Sequence, residues 1–304
     1  MEQTGSEEGS KLMDCIVIGG GPGGLSAAIY LGRYNFRAML FNTFGGRTGH
    51  AKHLENYLGI PLVSGPDLLK TGLEQAKRFG VVVRSEKVDR ISGREGAFDV
   101  HAGGTTWKSR YIIAASGANE TIAPFKNLHK FFGHSYHTCM ICDGYRMTGK
   151  KIAVIDRTVN GVRMSVGMKR MYTKDVTFIA HGFSPAPVYR ALLEEEDIGL
   201  VEGRPEELVG ERLLEGVRMQ DGRVVPCEAI LGWGGITLND QFLEGLDPER
   251  DAEGFKIAVK PNGESSIPGL FAVGALRTGH SQAIISAGQG AEAAIEISTR
   301  IVEV

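Results

Sequence analysis

The chain has 304 residues, with 34 Lys and Arg against 36 Asp and Glu, a formal net charge of −2 and 42% apolar residues. That length supports one large core or two of medium size, and the balanced charge implies no basic surface for nucleic acid or an anionic membrane. No apolar run approaches the roughly 20 residues of a membrane span. The first ten residues, MEQTGSEEGS, lack the apolar stretch of a signal peptide and read as a disordered tail (1–10) of a cytoplasmic protein. Glycine, 42 of 304 residues, is at about twice ordinary usage. It falls in turns between apolar runs with no repeat, which points to nucleotide-binding turns.

Residues 15–19 (CIVIG) form a short apolar run that enters Gly19-Gly-Gly21-Pro22-Gly-Gly24, then a helical pattern, then a second apolar run at 36–41. This is strand, glycine turn, helix, strand. Gly19 permits the tight turn, Gly21 lets main-chain amides approach a pyrophosphate, Gly24 allows close helix–strand packing, and the helix N-terminus attracts the anion. The acidic residue usual after the second strand is replaced by Asn42. An amphipathic helix is expected at 66–79, strands near 81–91 and 97–101, and a strongly apolar strand at 110–118. Past Ala123-Pro124 a second strand–helix–strand unit starts at Lys151 and runs to about 180, with strands continuing to Trp233. The polar segment 250–262 reads as a return link, and the C-terminal segment as a strand, a turn and a long helix.

There are only four cysteines, Cys15, Cys139, Cys142 and Cys227, and the leading segment does not read as a secretory signal, so a structural disulfide framework is not expected. Cys139-Met-Ile-Cys142-Asp143 is a dithiol with a carboxylate attached, a pattern for cycling between thiol and disulfide. Two other readings stand beside it. Buried cysteines pack as small hydrophobes, and His134, His137, Cys139 and Cys142 offer four zinc ligands in one short stretch. Asp143 is either a helix N-cap or a proton donor to a departing thiolate. Cys15 and Cys227 lie in apolar strands and read as inert. His50, His53 and His280 are surface histidines or neighbours of a bound cofactor. Tyr172, Phe178 and Trp233 belong either to a core or to a stacking platform.

In this order the features resemble the low-molecular-weight thioredoxin reductase family over nearly the whole chain. The resemblance rests on GGGPGG at 19–24, Gly45-Gly46 followed by Glu55-Asn56, ASGA at 115–118, CMICDG at 139–144, GKK at 149–151, and IPGLFAVG with SQA near the C-terminus. It implies an α/β fold of two Rossmann-like nucleotide-binding domains, the second inserted into the first. The expected division is an FAD-binding domain of 11–122 and 251–304 around a redox-disulfide domain of 123–250. It also implies one FAD per chain, a homodimer, and a thioredoxin-like or other dithiol partner. Cofactor contacts are implied at Gly19, Gly21, Pro22, Gly24, Gly46, Asn56, Val88, Ala115, Gly117, Gly274, Ala275, Gln282 and Ala283. By the same analogy Cys142 faces the flavin, Cys139 exchanges with the external partner, and Asp143 relays the proton; no metal is expected.

The departures matter as much as the matches. The glycine-rich turn of the second domain is here Asp156-Arg157-Thr158-Val159-Asn160-Gly161, and the basic pair that holds the 2′-phosphate of NADPH is replaced along Ala180-His181-Gly182. A carboxylate and three Cβ atoms stand where a pyrophosphate would approach. The Asp that follows the last family strand is Ala275. The chain thus resembles an NADPH-independent branch, similar to a diflavin-linked disulfide oxidoreductase with room for a second FAD. The alternatives are a conventional NADPH-dependent thioredoxin reductase with an atypical loop, and a non-catalytic module stabilised by flavin or zinc.

Overall fold

The computed structural model describes residues 11–43 and 45–303; the expected tail, 1–10, lies outside them. The chain forms two compact units. One comprises the described residues up to Asn119 and from Thr237 onward, and the other runs Glu120–Ile236.

The outer unit starts with β1 (Met13–Ile18), whose six residues are all buried, as a continuous apolar run in a parallel sheet requires. The helix Pro22–Arg33 carries the chain to β2 (Ala38–Phe41), and the helix Gly65–Arg78, N-capped by Ser64 accepting from the Asp67 amide, carries it to β3 (Val82–Arg84). Strands β4 (Val88–Arg94), β5 (Ala97–Ala102) and β6 (Thr105–Ala114) follow as antiparallel neighbours. The sheet order is β3-β2-β1-β6-β5-β4. Strand β6 begins before the apolar segment 110–118 that announces it. Its first half alternates between buried and exposed residues and pairs antiparallel with β5, while Tyr111–Ala114 is buried throughout and lies parallel to β1.

The inner unit is reached through β7 (Ala118–Glu120). Its five-stranded sheet holds β8 (Tyr136–His137), β9 (Ile152–Asp156), β10 (Val176–His181), β11 (Gly199–Gly203) and, after the three-stranded layer β12 (Pro205–Val209), β13 (Gly216–Met219) and β14 (Val224–Pro226), β15 (Ala229–Gly232). The order is β11-β10-β9-β15-β8, parallel throughout. The helices Asn160–Met171 and Pro187–Glu195 are the crossovers. The chain leaves through β16 (Ile236–Leu238) and completes the outer sheet with β17 (Leu270–Ala272), parallel to β6, and the helix Ala283–Val302. The return falls at 236/237, earlier than the polar segment 250–262 suggests. Gly235 there has φ +98°, whereas 250–262 folds back on itself through an Arg250–Ile257 bridge.

Candidate functional site

In the outer unit the glycines of the first turn divide their work as their spacing predicts. Gly19 has φ +109°, and a Cβ there would stand 2.4 Å from the Ala115 carbonyl oxygen. A Cβ on Gly24 would lie 1.8 Å from the Gly19 oxygen, so the helix packs directly on the turn. Gly21 is the opposite case, since a Cβ would meet nothing within 4 Å. It is the N-cap of Pro22–Arg33, and no side chain caps that helix. The helix Ala283–Val302, with Gln282 as N-cap, is likewise without a side-chain cap bond. The two helices pack where Gly290 admits the Gly23 carbonyl, whose oxygen is 1.9 Å from a Cβ built there. Two uncapped helix N-termini and an open glycine form a cradle of main-chain N–H groups suited to a pyrophosphate.

The other residues expected at a cofactor belong to the same unit. Ala115 donates its amide to the Ile18 carbonyl at 2.8 Å, holding the ends of β6 and β1 together. Gly46, Gly117 and Gly274 all have positive φ. Asn56 Nδ2 donates to Gln282 Oε1 at 3.3 Å, joining two expected contacts. Ala275 is buried, and Val88, buried at the start of β4, offers a ligand only its main chain. Asn42 is buried with its amide under Gly20, where a Cβ would meet it at 2.2 Å. A residue that motif reading missed is Gln289, whose Oε1 accepts from the Gly274 amide at 2.8 Å. It follows Gln282 by two helical turns, a spacing that could have marked it. These residues fit a dinucleotide such as FAD. His50, His53 and His280 are exposed.

In the inner unit β8 ends the sheet and delivers its C-terminal residues to the redox turn. Cys139 and Cys142 form a disulfide with Cα atoms 5.3 Å apart. Cys139 N-caps the one-turn helix Met140–Asp143, its Sγ accepting from the Cys142 amide at 3.1 Å. The capping role open to Asp143 is therefore taken by a cysteine, and Asp143 makes no side-chain cap bond to the following turn. Its carboxylate lies instead between two cationic or potentially cationic groups, His137 Nδ1 at 3.6 Å and Arg146 Nε at 3.6 Å. The zinc reading has no support, because both sulfurs are bonded to each other and the described residues contain no cluster able to hold a metal. Cys15 and Cys227 are buried; burial pushes the Cys227 thiol up to about 12 and raises that of Cys15 further, leaving both as unreactive thiols.

The second nucleotide turn differs physically from the first. Asp156 is buried at the end of β9. Its Oδ1 accepts from the Thr158 amide at 2.7 Å and the Thr158 hydroxyl at 2.9 Å, and that hydroxyl in turn accepts from the Asn160 amide at 3.2 Å. The amides that a dinucleotide phosphate would use are bound by the turn's own side chains. Burial raises the carboxyl pKa of Asp156 against these bonds, and Oδ2 is buried without a partner. Only Gly161 keeps a packing role, since a Cβ there would stand 2.3 Å from the Phe178 ring and 2.6 Å from the Asp156 Cβ. Phe178 is fully buried, so it belongs to the core and not to a stacking platform. At the end of β10, His181 has a lowered pKa through burial and the charges of Arg157 and Arg204. These two cations were invisible to motif reading, because 24 and 23 residues separate them from His181.

A C-x-x-C disulfide on one Rossmann-like unit and a dinucleotide cradle on another define a disulfide oxidoreductase. The chain belongs to the pyridine nucleotide-disulphide oxidoreductase family, whose model matches residues 13–291. It is 30% identical to a thioredoxin reductase of Aquifex aeolicus over 96% of this chain and 94% of that protein. It is 27% identical to an NADH dehydrogenase of Bacillus subtilis over 93% of this chain, which spans 57% of that longer relative. Among solved structures, that of HlmI superposes with a TM-score of 0.88 at 26% identity, covering 96% of this chain and 93% of the other. The fold is thioredoxin reductase-like and the protein is an oxidoreductase.

Proposed function

We propose that this protein is an FAD-dependent disulfide oxidoreductase that passes electrons between flavin and the Cys139–Cys142 pair, and between that pair and an external thiol or disulfide, without NADPH. The observation that carries the NADPH independence is the self-satisfied second turn. Asp156 and Thr158 occupy the amides that would bind a pyrophosphate, and the buried Asp156 side chain fills the place where that group would approach the backbone. The first turn, with Gly21 open and its helix uncapped, is built for a dinucleotide.

Bound flavin would supply a two-electron acceptor and donor; the chain's own residues bind it and manage the sulfurs and protons. Gly19, Gly21, Pro22 and Gly24 hold the pyrophosphate, supported by Gly46, Asn56, Val88, Ala115, Gly117, Gly274, Ala275, Gln282 and Ala283. Cys139 exchanges with the partner, Cys142 completes the pair, and Asp143 handles the proton. A thioredoxin-like protein or a small dithiol is the proposed partner, the thioredoxin reductase relative being the support for the first. A homodimer, a cytoplasmic location and a second FAD belong to the same proposal. Among the described residues no helix is long and apolar enough to cross a membrane.

One observation favours the alternative, a conventional NADPH-dependent enzyme. Arg157 and Arg204 place positive charge beside His181, where a 2′-phosphate could be attracted. Anaerobic titration of the flavin with NADPH separates the two readings. Extraction of the cofactor and its stoichiometry per chain test the flavin assignment itself.

A further inference from the structure

The redox turn needs a proton as well as sulfur. When an external thiolate attacks one sulfur of the Cys139–Cys142 disulfide, a new S–S bond forms, the old one breaks, and its electron pair leaves on the other sulfur as a thiolate that takes up a proton. An isolated, part-exposed aspartate is ionised at neutral pH.

His137 supplies what is missing. Its side chain is only 4% exposed, and its Nε2 lies 3.2 Å from the His134 carbonyl oxygen. A carbonyl only accepts, so Nε2 carries hydrogen in either protonation state. In the neutral ring the lone pair is therefore on Nδ1, the atom that faces Asp143 Oδ2 at 3.6 Å. With no proton between them, a lone pair opposes a carboxylate. With one proton, the pair is either imidazolium with carboxylate or imidazole with carboxylic acid, and both attract. The separation exceeds a hydrogen bond, as is common in resting catalytic sites, where such contacts tighten only on reaction.

Resting on the redox reading given above, we propose that His137 and Asp143 form a one-proton dyad, with His137 a positioning residue that keeps Asp143 supplied with the proton it delivers to the departing sulfur. Among the described residues, charged groups near the pair include Arg146, beside Asp143 Oδ1, and Glu120, which accepts from the hydroxyl of the neighbouring residue Thr138 at 2.9 Å. His134 faces the ring through its carbonyl. The same dyad accepts a proton when the dithiol is oxidised, so it serves either direction of electron flow.

The test uses the purified holoprotein and its His137→Gln, Asp143→Asn and double variants. Anaerobic reduction of the disulfide by dithiothreitol is followed by alkylation and mass spectrometry from pH 5 to 9, with a small model disulfide correcting for the reductant's own ionisation. Gln can still donate to the His134 carbonyl but holds no extra proton. The dyad predicts that His137→Gln slows reduction about 100-fold at pH 7.5, changes the pH profile, and matches the double variant. A His137→Gln protein of native circular dichroism with the wild-type pH profile would overturn the dyad, as would additive losses in the double variant. A wild-type pair that dithiothreitol cannot reduce would instead overturn the underlying redox reading.

Discussion

Replacing Asp156 by Asn separates the charge of the second turn from its hydrogen bonds. Asp156 is 1% exposed; its Oδ1 accepts two bonds from Thr158, and Oδ2 is buried without a partner. Burial raises its pKa in the folded protein despite the bonds from Thr158 and Arg157. The native state therefore holds this proton more tightly than the unfolded chain. Its contribution to stability is fully present below the unfolded pKa and declines as pH rises through the folded value. Asn keeps the Oδ1 acceptor and cannot ionise, while its NH2 replaces one buried unpartnered group by another. Asp156→Asn should thus change stability at pH 7.5 by no more than about 1 kcal/mol, and its stability relative to wild type should rise between pH 4 and 7.5. Asp156→Ala, which loses both accepted bonds, should cost about 2 kcal/mol. Urea unfolding at the two pH values measures both. A loss above about 3 kcal/mol for Asp156→Asn at pH 7.5 would show that the turn stabilises an ionised carboxylate, refuting the balance argued here.

Four further outcomes are expected. Gly24→Ala should destabilise the protein by about 1–3 kcal/mol, because its Cβ would lie 1.8 Å from a main-chain oxygen. Gly21→Ala, whose Cβ meets nothing, should leave stability within about 0.5 kcal/mol and still lower flavin content at purification; equal flavin retention in the wild type and Gly21→Ala would remove the cradle from the account. Cys139→Ser and Cys142→Ser should each abolish disulfide exchange with a dithiol while circular dichroism stays native, since the pair is part-exposed; persistent exchange in either variant counts against the assignment. At Glu264 burial alone would raise the carboxyl pKa, but bonds from Arg300, Lys260 and the Gly269 amide prevail and hold it at about 2. Its stabilisation is present above the unfolded carboxylate range and lost as pH falls toward about 2, so Glu264→Gln should flatten the acid limb of a stability–pH curve, which urea unfolding from pH 2 to 6 measures.

Much of this architecture is written in local sequence. The first glycine turn and the buried strand β1 each follow from residue types a few positions apart, where sterics and packing act at short range. The C-x-x-C turn is legible for the same reason. What escaped local reading depends on residues that only the fold joins. Arg157 and Arg204 converge on His181 across strands, and Gln289 reaches Gly274 from the last helix. The pairing of His137 with Asp143 spans a strand end and a helical turn, a spacing with no regular period. Phe178 read as a stacking candidate because an aromatic near a nucleotide turn looks alike in a core or a cleft; only its burial decides. The self-capping of Asp156 and Thr158 lies between these cases. Sequence shows that the glycines are gone, but the hydrogen bonds show where the amides went.

The most direct measurement follows the flavin absorbance of the anaerobic holoprotein on mixing with NADPH and, separately, with dithiothreitol. In a family member that uses NADPH, the 2′-phosphate and pyrophosphate contacts contribute ~1.5–3 kcal/mol each, so losing two of them weakens binding by about two to four powers of ten. The account predicts that the dithiol bleaches the flavin through Cys139 and Cys142 while micromolar NADPH leaves it oxidised. Rapid, complete bleaching by micromolar NADPH would contradict it.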